Sequence, residues 1–172
     1  MLVWSDPHSL GERSELSSTK KSKYVLSSSF ATGEEMTEKQ LNITELKSYW
    51  ISEAEESLTV SDHLFEKKDY SYALFFGHLA VEKMLKALYV NHKNEHAPPI
   101  QNLQRLARLA EVPLDEKKKE DLLVITSFNI EARYPDIKRS FRKKCTKDFT
   151  EAQMQIIKET FQWLKKMMTS KK

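Results

Sequence analysis

The chain has 172 residues, 40% hydrophobic and 31% charged, with a net charge of +3. That suits one domain with a modest core and excludes a globally basic nucleic-acid binder, so any basic site must be local. A single cysteine excludes an internal disulfide and a Cys-based zinc site, and the scarcity of Gly (3) and Pro (5) argues for helices over a turn-rich β protein.

No apolar run reaches the length of a membrane span, and the N-terminus lacks the apolar stretch of a secretory signal. With one free thiol, these features predict a cytoplasmic protein. Residues 1–40 are rich in Ser, Lys and Glu without a sustained period, and are expected to be a disordered or weakly ordered tail. Met36, just before the first periodic segment, is an alternative start that intact mass of the native protein decides.

From Asn42 onward the pattern is helical. "NITE" offers Asn42 as an N-cap with Glu45 three residues on, a variant of the capping box. Ile43, Leu46, Trp50, Ala54, Leu58, Leu64 and Phe65 then form an apolar face to about Lys68. Asp69 caps a second helix running to about Lys93. "HAPPI" breaks the chain, because Pro98 and Pro99 cannot continue a helix. A short helix carries Leu103, Leu106, Ala107 and Ala110, with Pro113 beyond it. Asp115 caps a fourth helix through about Arg133, limited by Pro135. "TEAQ" at 150–153 is a second capping box and opens a last helix with Met154, Ile157, Phe161, Leu164 and Met168 on one seam. The prediction is an all-α antiparallel bundle over residues 41–170, with four longer helices and one short one.

The second helix is apolar over an unusual share of its circumference. Phe76, Ala87, Ala80, Ala73, Met84, Leu88, Val81, Leu74 and Leu85 cover one half, interrupted only by Gly77. Packing by neighbours on two or three sides accounts for this. Phe75, Leu79 and Tyr89 lie among His78, Glu82, Lys83 and Lys86 on the other half, and suggest a further partner such as a second subunit. His78–Glu82 and Glu82–Lys86 are helical pairs one turn apart. Spacing alone reads them as a solvated face with ordinary ion pairs, and the functional alternative places Glu82 in a dimer cleft.

Two further segments carry candidate chemistry. In "FNIEARYPD", Asn129 and Arg133 lie one turn apart near a helix C-terminus, followed by Tyr134 and Asp136. Arg133 is either a bidentate phosphate ligand or a cation complementing the helix dipole. "KRSFRKKCTK" is the one dense basic cluster. Lys138, Arg139, Arg142, Lys143, Lys144 and Lys147 form either a phosphate-tracking loop or a solvated mobile one. Cys145 has basic neighbours that favour a lowered thiol pKa, yet no His nearby in sequence to activate it, and reads as an incidental thiol. No histidine pair has a convincing metal spacing, so no metal or other cofactor is expected.

"YALFFGHLAVEKMLKALYV" resembles the second helix of HEPN-domain proteins. "KSYWISEAEESLTVSDHLFEKKDY", "PPIQNLQRLARLA" and "NIEARYPD" resemble the first helix, the proline-led third and the end of the fourth, a likeness spanning about residues 43–168. The resemblance implies a helical bundle that forms a homodimer across its longer helices and is linked to nucleotide or RNA binding. It also implies, in many members, a metal-independent endoribonuclease toxin paired with a small nucleotidyltransferase antitoxin. The catalytic motif implied is an Arg followed four to six residues later by a His. Arg133 stands at the expected Arg position, but no His follows His96. Gln101 and Asn102 replace the His-Asp pair common at the start of the third helix. The resulting expectation is a non-catalytic or weakly catalytic module that binds nucleotide, RNA or a nucleotidyltransferase partner. Its site comprises Glu82, Lys83, Lys86, Asn129, Arg133, Tyr134 and Asp136, with the basic segment 138–147 adding attraction. The alternatives are an active endoribonuclease using Arg133 with another base, and a purely structural partner subunit.

Overall fold

The computed structural model describes residues 38–133 and 139–169. These form six helices and no strand: α1 (Glu38–Glu66), α2 (Tyr70–Lys93), α3 (Leu103–Leu109), α4 (Glu116–Arg133), α5 (Ser140–Lys144) and α6 (Lys147–Thr169). The expected tail falls outside the described residues except for 38–40, which begin α1. No described helix is long and apolar enough to cross a membrane.

Helix α2 is the axis of the bundle and touches each of the other five. This explains why both of its halves are buried: Leu74, Val81, Met84, Leu85 and Leu88 from one, His78 and Glu82 from the other. Phe75 and Tyr89 pack half-buried against this domain's own core, and Leu79 is likewise half-buried. Against α2 lie Ala54 of α1, Ile125 of α4 and the α6 seam of Ile157, Phe161 and Leu164, all buried. Two buried serines on α1 were not foreseen. Ser61 Oγ donates to the Ala73 carbonyl at 2.7 Å, which holds α1 close against α2.

The helix starts differ from the sequence reading at two places. Asn42 lies inside α1, which begins at Glu38. Thr150 lies inside α6, where its hydroxyl bonds back to the Thr146 carbonyl at 2.7 Å. Thr146 takes the capping role instead, accepting from Phe149 N at 3.3 Å. Two other caps agree with expectation in place. Asp115 accepts from Lys118 N at 2.7 Å. Asp69 stands at the N-cap of α2, but its side chain makes no capping bond. The basic segment is not a plain loop: residues 140–144 form α5, pinned by buried Phe141, whose ring stacks on Phe128 at 6.1 Å.

Candidate functional site

Two polar groups line the α2–α4 side of the bundle. In the first, His78 is fully buried and Glu82 is 7% exposed. His78 Nδ1 lies 3.1 Å from the Ile125 carbonyl oxygen. A carbonyl only accepts, so Nδ1 carries a proton and donates it. Nε2 lies 3.1 Å from Glu82 Oε2, so one further proton is shared between those two atoms. The other carboxylate oxygen takes Lys86 Nζ at 2.8 Å, and Lys86 in turn sits 4.8 Å from the centre of the Trp50 ring. Burial pushes the Glu82 carboxyl up, but the hydrogen bonds and charges of His78 and Lys86 outweigh it and hold the group below its ordinary value. The polar stripe of α2 is therefore an internal ionic strut, not a solvated face. Lys83 turns the other way, to Glu53 at 2.7 Å and Ser57 Oγ at 3.0 Å on α1.

The second group sits at the C-terminal end of α4. Arg133 Nε donates to the Asn129 carbonyl at 3.1 Å, and its Nη2 donates to Gln101 Oε1 at 3.1 Å. Asn129, 3% exposed, gives its amide N–H to that same Gln101 oxygen at 2.9 Å. Arg133 only donates, which fixes the Gln101 amide with its oxygen inward and requires Asn129 to present nitrogen. The Arg133 guanidinium is thus held on the exposed end of α4 by these bonds, one of them to a chain segment that follows the Pro98–Pro99 break. Tyr134, Asp136 and Lys138 of the expected site lie outside the described residues.

On α5, Arg139 occupies the left-handed N-cap position, and Arg142, Lys143 and Lys144 are exposed. Lys144 Nζ sits 5.0 Å from the centre of the Phe149 ring. Cys145 is only 6% exposed. Burial, reinforced by Glu131 and opposed by Lys144, pushes its thiol up to about 11, so the lowering expected from basic neighbours does not occur. A thiol reagent should therefore label the folded protein slowly at neutral pH and rapidly after denaturation.

The family profile described as the HEPN domain matches residues 48–167. The chain belongs to the HEPN-domain family. No curated protein matches the chain. Among solved structures, this HEPN domain is similar to the crystal structure of TT1696 from Thermus thermophilus. The identity is 21%, the TM-score 0.59, and the match covers 70% of this chain and 96% of that one. At that identity the likeness is one of fold.

Two residues in these groups escaped the site reading. His78 is part of an i,i+4 pair whose spacing is the same whether exposed or buried, and only α4 packing over it decides. Gln101 lies 28 residues before Asn129 in the chain, and no local pattern links them.

Proposed function

We propose that this HEPN domain is a non-catalytic RNA-binding module that holds backbone phosphate at Arg133. The observation that carries the reading is the exposed Arg133 guanidinium, pre-oriented by Gln101 and the Asn129 carbonyl. A planar donor fork held in one orientation suits a phosphate diester and loses little freedom on binding. Asn129, buried beneath it, is a positioning residue. The exposed cations of α5 supply sequence-independent attraction. Two facts support a module without ribonuclease chemistry. No histidine follows His96, so the family's Arg–His spacing cannot form. The buried His78 has both ring nitrogens engaged and does not reach solvent as a base.

The test is retention and cleavage of labelled single-stranded RNA by the full chain and its Arg133→Ala variant, without metal. Retention of intact RNA is expected, weakened in the variant, with the slope of log affinity against log salt shallower by about 1. Cleavage that disappears in the variant would establish an endoribonuclease instead. RNA neither retained nor cut would favour a protein partner, such as a small nucleotidyltransferase.

The same reading takes the domain as a homodimer. Leu123, Val124 and Ile130 are 58%, 42% and 59% exposed on α4, and Ile130 lies one turn from Arg133. A second copy seated on this apolar face would bring two Arg133 sites together. Sedimentation should give a dimer for the native chain and a monomer for Leu123→Asp combined with Ile130→Asp. An unchanged dimer would place the interface elsewhere.

A further inference from the structure

A cleft of about 200 Å³ opens at the start of α2, lined by the turn from Lys68 to Tyr72 together with Arg142 and Cys145. By volume it has room for several waters, at roughly 30 Å³ each. The start of α2 is uncapped. Asp69 makes no side-chain bond to it, and no acidic residue stands in the first turn. The amides of Tyr70, Ser71 and Tyr72 find no acceptor among the described residues. Such a terminus carries partial positive charge and aims its N–H groups outward.

A second, independent feature points to a ligand. Ser71 lines the cleft and is only 8% exposed, and its hydroxyl, which has no hydrogen-bond partner among the described residues, opens on the cleft and not on the core. On the other wall, Arg142 of α5 is fixed by Tyr72: Nη2 donates to the phenol oxygen at 2.7 Å, and the guanidinium carbon lies 5.1 Å from the ring centre. Asp69 is the one negative group among the residues that line it.

We infer that this cleft is a phosphate-binding site, in which the α2 amides and the Ser71 hydroxyl meet phosphate oxygens opposite Arg142. It shares no residue with the Arg133 site and does not depend on it. On an RNA-binding surface it adds a second phosphate contact, one that involves the basic helix α5.

The experiment is a titration of the full ¹⁵N-labelled chain with inorganic phosphate at constant ionic strength, with chloride as the matched anion. Saturable shifts of the Ser71 and Tyr72 amides are expected. Arg142→Ala should weaken binding roughly tenfold. Ser71→Ala should weaken it severalfold, and Asp69→Asn, which removes the opposing charge, should tighten it roughly two- to fivefold. Arg133→Ala should leave the titration unchanged, so this site and the Arg133 reading succeed or fail separately. Displacement of phosphate by a 5′-mononucleotide would make a terminal phosphate the ligand. Displacement only by a short single-stranded RNA would make it a backbone phosphate, and displacement by neither would leave free phosphate. Amide shifts that are absent, that chloride reproduces, or that persist at full affinity in Arg142→Ala would overturn the site.

Discussion

Replacing Glu82 by Ala is expected to cost the fold about 3–5 kcal/mol, because it leaves the buried His78 ring and the partly buried Lys86 ammonium without the carboxylate that accepts from both. Glu82 bonds His78 at 3.1 Å and Lys86 at 2.8 Å from its two oxygens. His78 is wholly buried, and the Lys86 side chain is only 14% exposed. Water cannot take over the His78 bond without opening the α2–α4 contact. Glu82→Gln keeps the shape and part of the hydrogen bonding, and should cost less than Glu82→Ala. Urea unfolding of both variants checks the order. The pH dependence follows from the direction of the Glu82 shift. Its folded-state pKa lies below the ordinary value of 4.5, so its stabilisation is present above that pH and is lost as pH falls through the lower value. The gap in stability between native chain and Glu82→Gln should hold from neutrality to about that ordinary pKa, then narrow on further acidification. A gap that widened in acid would mean that Glu82 is protonated in the fold.

The bundle was legible because helical period survives in a chain with few glycines and prolines. Leu103, Leu106 and Ala107 fall on one face and are fully buried, as do Ile157, Phe161 and Leu164 of α6, with Phe161 1% exposed. Capping was less legible, because Ser, Thr, Asn and Asp recur every few residues and local sequence does not rank them. Thr146 won over Thr150 once Phe141 and Cys145 fixed where the chain turns into α6. The candidate site was half legible. Asn129 and Arg133 share a face by spacing, and that part needs only the helix. Gln101 joins them through the approach of the segment after Pro99, which is tertiary. The same limit explains His78 and Glu82. An i,i+4 pair has one pattern and two possible surroundings, and the packing of Ile125 over it selects the buried one.

Gly77→Ala should destabilise the protein by about 1–3 kcal/mol, although Gly to Ala inside a helix ordinarily gains about 1 kcal/mol. The glycine is needed for approach. A Cβ there would lie 2.6 Å from Ile157 Cδ1, 3.2 Å from Ile157 Cγ2 and 3.4 Å from Ser61 Oγ. Ile157 is fully buried, so its δ-methyl can swing only into occupied space. Its γ2-methyl cannot turn away without rotating the whole side chain. On the other side, α1 is held by the Ser61 bond to the Ala73 carbonyl at 2.7 Å and cannot retreat without breaking it. Gly77→Val adds two more methyl groups at this junction and should exceed about 3 kcal/mol, the usual upper range for overpacking. The contact geometry also specifies a suppressor. Ile157→Val removes the δ-methyl that clashes first and alone should cost about 0.5–1.5 kcal/mol. Combined with Gly77→Ala it should recover stability, a favourable coupling of about 0.5–3 kcal/mol in a double-mutant cycle. Strict additivity would show that α2 and α6 move apart as rigid bodies, and that the Gly77–Ile157 contact does not set their separation.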